Sequence, residues 1–491
     1  MDRPKFRTLW TWDMCTGWDD SVWGRSKGSS GISFRRHAFL RDYKRLVDYA
    51  SAHHLNGVII WGAVRAHDDG FEQLKELVKY GREKGVTIMP GVSAFGYGGV
   101  CYDPRKDFPG ATAPDMAMVD HPYSLASWLK KHPDYAAIDA NGKPYPYGPL
   151  NVIACPSRKE NIEWFKEGLN WLYEEFDIDG LQVEIGDYGI CHCPLCEERR
   201  KGTTEGKWYS IADMLSTYTE AINVSKAHKK EPWVVCETYS SVAVAKDGAN
   251  EWKSMSASDR DILAKLPEGG ILQWSADRAV GANATHVWRE GMHIPSENNI
   301  LRLHTGSQWA QVKGADWGTN LVFDMAKKAR TFGINGVSIF GEESPFSPPN
   351  EANYLALEEA AGFGNDNPEI SEDLFYSQTL DPLYGGSGLA KRWRELYTKS
   401  NIFGMGSDLS DPRLHINTFN KLEDLTDEPD IFIRAAKMSD DDKVKEIEKY
   451  YNEARSISAK FSGEVCGRWT WLENHLWKMR HVVKTKIVEY R

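Results

Sequence analysis

Eight short apolar runs, alternating with segments whose apolar residues recur every three or four positions, constrain this chain more than any other feature. The runs are Thr8 to Asp13, Gly57 to Gly62, Val86 to Val92, Gly180 to Glu184, Trp233 to Thr238, Ile271 to Ser275, Ile300 to Thr305 and Gly336 to Gly341. Between them, "RDYKRLVDYASAHH", "FEQLKELVKYGREKG", "RKENIEWFKEGLNWLYEEF" and "TNLVFDMAKKARTFG" have the pattern of amphipathic helices. Strand, crossover helix and strand make the parallel unit, and eight such units close a (β/α)8, or TIM, barrel. In "HLNGVII", "FDIDGLQVE" and "FGINGVSIF" a glycine stands where a helix ends and a strand begins, the place of a left-handed helix cap.

The expected architecture is therefore α/β, with a barrel over residues 1–362 and a helical region packed on it over 363–491. From about Gly364 the chain carries helical patterns without strands, in "EDLFYSQTLDPLYGGSGLAKRWRELYTKS", "DDDKVKEIEKYYNEARSISAKF" and "RWTWLENHLWKMRHVVKTKIVEY". A total of 491 residues suits one barrel plus such an appendage. The stretch from Phe95 to Ser157, rich in Gly, Pro, Tyr and Asp, separates the third strand from its helix and is expected over the barrel mouth.

Charge excludes one class of partner. With a net charge of -10 and no concentrated basic segment, the chain lacks the footprint of a nucleic-acid binder. It also lacks the 18 or so consecutive apolar residues of a membrane span. The first residues run straight into a strand without the apolar core of a signal peptide. The expectation is a cytoplasmic chain, or a secreted or periplasmic one whose leader has been removed.

In a barrel of this kind the C-terminal strand ends build the site, and here they are rich in acids. Strand four ends in "GLQVEIGDYG" with Glu184 and Asp187, strand five in "VVCETYS" with Glu237, strand six in "QWSADR" with Asp277, and strand eight in "SIFGEES" with Glu342 and Glu343; strand one ends at Asp13. Cleavage of a glycosidic bond needs one carboxyl group to protonate the leaving oxygen and another to attack or to activate water. A separation of about 5 to 5.5 Å gives retention and about 6.5 to 9.5 Å inversion. Glu184 and Glu237, at matching heights on adjacent strands, form the first pair and favour retention. Asp187, Asp277 and Glu343 are rivals for the second carboxylate, and any one of these acids also suits a rim salt bridge.

Aromatic residues and donors at the same ends complete a carbohydrate-binding reading: Trp12, Trp61, Tyr188, Tyr239, Trp274, His304, Gln308 and Trp309. Nineteen Trp against 18 Phe is an unusual balance, and flat indole faces stack on sugar rings, although core packing accounts for most of them. "RSKGSSGISFRRH" after strand one suits either a solvated loop or a clamp for a carboxylate or sulfate ester. "GICHCPLCEERR" gathers Cys191, Cys193 and Cys196 with His192, half of a structural zinc site whose fourth ligand would be Cys155, Cys101 or His192. Unligated thiols or a disulfide to Cys155 fit the same spacing. No catalytic metal or other cofactor is required, because no strand-end acid arrives with a His pair.

With "TLWTWD", "DGLQVEIGDYGICHCPLC" and "LDPLYGGSGLAKRW" in place, the chain resembles family-20-like barrel glycosidases and barrel enzymes acting on uronic-acid or fucose-containing polysaccharides. That resemblance implies a carboxylate mechanism with the catalytic acid at Glu184 or Asp187. Family 20 proper carries an adjacent Asp-Glu pair after strand four, whereas this chain reads Glu-Ile-Gly-Asp, which points away from N-acetylhexosaminidase activity. The expected function is hydrolysis of a less common polysaccharide, such as a sulfated or acidic glycan of the fucan type. A barrel that binds carbohydrate without cleaving it is the alternative.

Overall fold

The computed structural model describes residues 4–12, 38–66, 69–96, 98–101, 121–145, 153–184, 191–201, 211–237, 265–275, 297–303, 317–331, 333–340, 347–362, 370–404, 428 and 430–485. Eight parallel strands close a barrel in sequence order: β1 Phe6–Trp12, β2 Gly57–Trp61, β3 Thr87–Val92, β4 Gly180–Val183, β5 Trp233–Glu237, β6 Gly270–Ser275, β7 Asn299–Leu303 and β8 Gly336–Phe340. Pairing of Phe6 with Gly336 through Trp10 with Phe340 seals β1 to β8. Each expected strand is present, displaced by at most two residues at either end.

Helices Ala38–Ala52, Gly70–Glu83, Lys159–Phe176, Ile211–His228, Thr319–Thr331 and Pro348–Ala360 form the outer layer. Alternation along the strands divides the core in two. Leu9, Val58, Ile60, Leu181, Val234, Cys236, Leu301 and Ile339 face the helices in the larger core, whereas Phe6, Ile59, Met89, Val235, Ile271 and Ile300 fill the barrel interior.

The glycines that open β2, β4 and β8 serve a different purpose from the expected helix cap. The left-handed residues are His54 (φ 57°), Asp177 (φ 51°) and Gly333 (φ 66°), each three positions earlier. Gly57, Gly180 and Gly336 make room at the base of the barrel. A Cβ on Gly57 would lie 2.8 Å from Thr8 Cγ2, one on Gly180 2.5 Å from the Trp233 carbonyl oxygen, and one on Gly336 2.6 Å from Ile300 Cγ1. The Trp233 indole, edge-on to Phe6 with centroids 5.0 Å apart, occupies part of that space.

The described part of the stretch after β3 packs on the outer layer. Helix Leu125–Lys131 lays Trp128 on Trp164 of helix Lys159–Phe176, with nearly parallel rings 5.6 Å apart, and Trp128 Nε1 donates to Asn161 Oδ1 at 2.8 Å. These large aromatics find their burial there, so this portion buttresses the Lys159–Phe176 helix.

After the barrel, helices Glu372–Phe375, Asp381–Tyr384, Leu389–Gly404, Ile431–Lys437, Asp440–Ser458 and Gly463–Thr485 follow, with a π turn at Tyr376–Leu380. Asp381 accepts from the backbone N–H groups of Gly388 (2.8 Å) and Ala390 (3.1 Å), satisfying donors at the start of the Leu389 helix. Trp317 joins tail to barrel: its ring meets Trp393 at 5.2 Å and its N–H donates to the Tyr376 hydroxyl at 2.9 Å. Arg468 grips Glu351 through two nitrogens at 2.8 and 2.6 Å.

Candidate functional site

Moving two residues toward the C-terminal ends of β4 to β7 changes the barrel interior from apolar to polar. Val235 gives way to Glu237, Ile271 to Gln273, Ile300 to Arg302, and Gly180 to Gln182. These four polar side chains are buried and joined. Glu237 Oε2 accepts from Gln273 Nε2 at 2.5 Å and from Gln182 Nε2 at 3.4 Å, and it lies 3.1 Å from Arg302 Nη1. Both members of the ion pair are sealed, with side-chain exposures of 1% for Arg302 and 0% for Glu237.

Two indoles set the orientation of this network. Trp10 Nε1 and Trp61 Nε1 both donate to Gln182 Oε1, at 2.8 and 2.6 Å. An indole N–H only donates, so the amide atom they share is oxygen, and the Gln182 NH2 is thereby turned toward Glu237. Trp61 lies against Gly91 of β3, where a Cβ would come within 2.4 Å of its ring. Trp10 in turn faces the Arg302 guanidinium at 5.3 Å.

Glu184 follows β4 immediately and is 4% exposed, its backbone N–H donating to Val92 O at 3.1 Å. The β4–β5 register ends with Val183 opposite Cys236, so the next step sets Glu184 beside Glu237. Neighbouring strands are about 4.8 Å apart, and by alternation Glu184 shares the inward side with Gln182. Tyr218, on helix Ile211–His228, backs this pair: its hydroxyl donates to the Glu237 carbonyl oxygen. Burial holds the Tyr218 phenol well above its usual pKa, and the acidic groups of Cys236, Glu237 and Glu184 beside it act in the same direction.

Two expected sugar-binding aromatics have other duties. Trp61, 1% exposed, is an interior wall bonded to Gln182. Trp274 lies on the helix-facing side of β6 with 0% exposure, donating to Asn299 Oδ1 at 3.0 Å. Strand alternation explains the correction: Gln273 takes the inward position, so the next residue must point out. Trp12 ends β1, but only its backbone falls within the description. Asp13, Asp187, Tyr188, Tyr239, Asp277, His304, Gln308, Trp309, Glu342 and Glu343 lie outside the described residues. The residues sequence reasoning missed are Gln273, Arg302 and Trp10. A polar side chain at an inward position of "ILQWS" and "NILRL" was the available signal.

The cysteine cluster is also assembled. The Sγ atoms of Cys155, Cys191, Cys193 and Cys196 all lie within 4.8 Å of one another, the single group of this kind among the described residues. Of the three alternatives for the fourth position, Cys155 is the one that arrives. His192 instead lies 3.5 Å from Glu197, and Cys101 is buried outside the group.

No family model matches the chain, and no curated protein matches it by sequence. Solved structures do. A GH138 enzyme targeting pectin rhamnogalacturonan II superposes with a TM-score of 0.52 at 12% identity, over 98% of this chain and 57% of that one. An O-GlcNAc hydrolase mutant from Thermobaculum terrenum follows with 0.45 at 11%, over 98% and 83%. A beta-N-acetylhexosaminidase from Bacteroides fragilis NCTC 9343 gives 0.39 at 13%, over 73% and 66%. The chain thus spans a little over half the length of the GH138 enzyme. At such identities the likeness is one of fold, and the fold of this chain is a closed (β/α)8 barrel.

Proposed function

We propose that the chain is a glycoside hydrolase whose two carboxylates are Glu184 and Glu237. The observation that carries this reading is their placement side by side at the C-terminal ends of β4 and β5, where the barrel interior turns polar. A strand spacing of about 4.8 Å favours the short carboxylate separation and therefore retention. Arg302 and two amide donors favour a charged Glu237, which suits the nucleophile or base. Two neighbouring carboxylates resist ionising together, so the proton falls to Glu184, the general acid. A carbohydrate chain is the substrate class. The basic segment Arg25 to His37 supports an acidic or sulfated glycan, and the GH138 neighbour, an enzyme targeting pectin rhamnogalacturonan II, is the reason to include pectin in the first panel to test.

One observation favours a second reading. The Glu237 side chain has no exposed surface, as an anchoring carboxylate would, and the second catalytic acid would then be Asp187, Asp277 or Glu343.

Azide rescue separates the two on a polysaccharide panel with anomer-resolved NMR of the products. If Glu237 is the nucleophile, Glu237→Gly loses at least about a thousandfold in kcat and azide restores turnover with an inverted glycosyl azide product. An anchoring role gives a lowered melting temperature without rescue. An inverted first product from the native chain would overturn the retaining assignment. Absence of hydrolysis alongside measurable glycan binding would favour the non-catalytic barrel.

A further inference from the structure

We propose that Cys155, Cys191, Cys193 and Cys196 bind one zinc ion as a closed tetrathiolate, and that this ion fastens the connection after β3 to the connection after β4. The inference is independent of the hydrolase reading, because it rests on a different set of residues.

Geometry is the first support. A tetrahedral zinc with Zn–S bonds of about 2.3 Å places its sulfurs about 3.8 Å apart. Here Cys155 Sγ lies 3.5 Å from Cys193 Sγ and 3.5 Å from Cys196 Sγ, and all four sulfurs fall within 4.8 Å of one another. A disulfide draws two sulfurs to about 2.05 Å and leaves the others aside. In this cluster Cys155 is equally close to two different partners, so the sulfurs converge on a common centre. Cys155, Cys191 and Cys196 are buried and Cys193 partly so, and every one is a free thiol. Four soft ligands with no fifth group select zinc or iron over hard cations and leave no open position for catalysis.

The surroundings suit a dianionic complex. Ile138 N–H points at Cys191 Sγ at 3.5 Å, Ser157 Oγ is 2.9 Å from Cys196 Sγ, and Arg199 Nη2 is 3.9 Å from that same sulfur. Arg199 also donates to Pro156 O at 2.8 Å, and Arg200 donates to Cys191 O at 2.6 Å. Both guanidinium groups pair with fully buried Asp213, at 2.5 and 3.3 Å, which ties the ligand segments to helix Ile211–His228. Such outer contacts orient ligands and offset the charge that four thiolates bring to one ion.

The consequence concerns the candidate site. Cys191 stands seven residues after Glu184 in the sequence, so the ion would anchor the far end of the segment that carries Asp187 and Tyr188. Cys155 would anchor the end of the stretch inserted after β3.

Metal analysis of the full chain, expressed with added zinc and freed of loosely bound metal, tests the proposal. The expected result is about one zinc per chain with four sulfurs at about 2.3 Å by X-ray absorption. Cys155→Ser and Cys196→Ser should fall below about a tenth of an equivalent, whereas Cys466→Ser, on the Gly463–Thr485 helix, should keep the full content. Should the ligand variants fail to fold, titration of the native chain with a mercurial keeps the test open: zinc should be released in step with the modification of about four thiols. Zinc removal should also speed proteolytic cleavage between residues 185 and 190 by about tenfold or more, a readout separate from activity. A metal-free chain, a disulfide between any two of the four cysteines, or iron in place of zinc would overturn the assignment. An unchanged cleavage rate after zinc loss would overturn the fastening role.

Discussion

Arg302 Nη1 lies 3.1 Å from Glu237 Oε2 at the centre of the barrel, with both side chains closed off from solvent. A sealed pair of this kind stands or falls together, because each charge is compensated by the other. Arg302→Met should therefore destabilise the chain by about 3–5 kcal/mol, the usual cost of orphaning a buried charge. The double variant Glu237→Gln with Arg302→Met should recover most of that loss. Urea unfolding of the native chain, both single variants and the double variant measures the coupling. Simple additivity of the two single effects would show that the pair is not the controlling contact.

Gly91 offers a second handle, through Trp61. A methyl group at this position would press to within 2.4 Å of the indole and displace it from Gln182. Gly91→Ala should cost about 1–3 kcal/mol, the range for overpacking, and should alter the near-UV circular dichroism of the buried tryptophans. If the hydrolase reading holds, kcat falls with it, because Gln182 loses a contact that aims its NH2 at Glu237.

Gly180 and Gly333 are both required, for different reasons. A Cβ on Gly180 has no room beside the Trp233 carbonyl, whereas Gly333 has open space but a left-handed φ of 66°. Asparagine tolerates that conformation, so Gly333→Asn should cost less than about 1 kcal/mol. Gly180→Asn should cost several times more and be no better than Gly180→Ala. Thermal unfolding of the three variants separates space from conformation.

Trp393 links the helical tail to the barrel through Trp317. It is fully buried, and Trp393→Ala should remove about 3–5 kcal/mol. Because the same ring serves both regions, the native chain should unfold in one cooperative transition, followed by calorimetry. The variant should separate that transition into two.

Much of the barrel was legible in the sequence because parallel strands buried on both faces are short, nearly continuous apolar runs, and amphipathic helices lie between them. "GLQVE" and "VVCE" place Glu184 and Glu237 at strand ends by spacing alone. The register that sets the two acids side by side depends on pairing between β4 and β5, which spacing within one strand does not specify. Trp274 shows the limit of reading a strand end as a site: its neighbour Gln273 turns inward, so the indole turns out.

By itself, then, the sequence determined the eight-strand plan, the helical region that follows it and the density of cysteines after strand four. These are properties of local periodicity and composition, which a linear pattern records. Only the tertiary structure decided which polar groups meet. Arg302 and Glu237 are 65 positions apart, Gln182 and Trp10 are 172 apart, and Cys155 reaches Cys196 across 41. Contacts over such separations follow from barrel closure and from the room left by glycines at its base and wall. No local pattern encodes them.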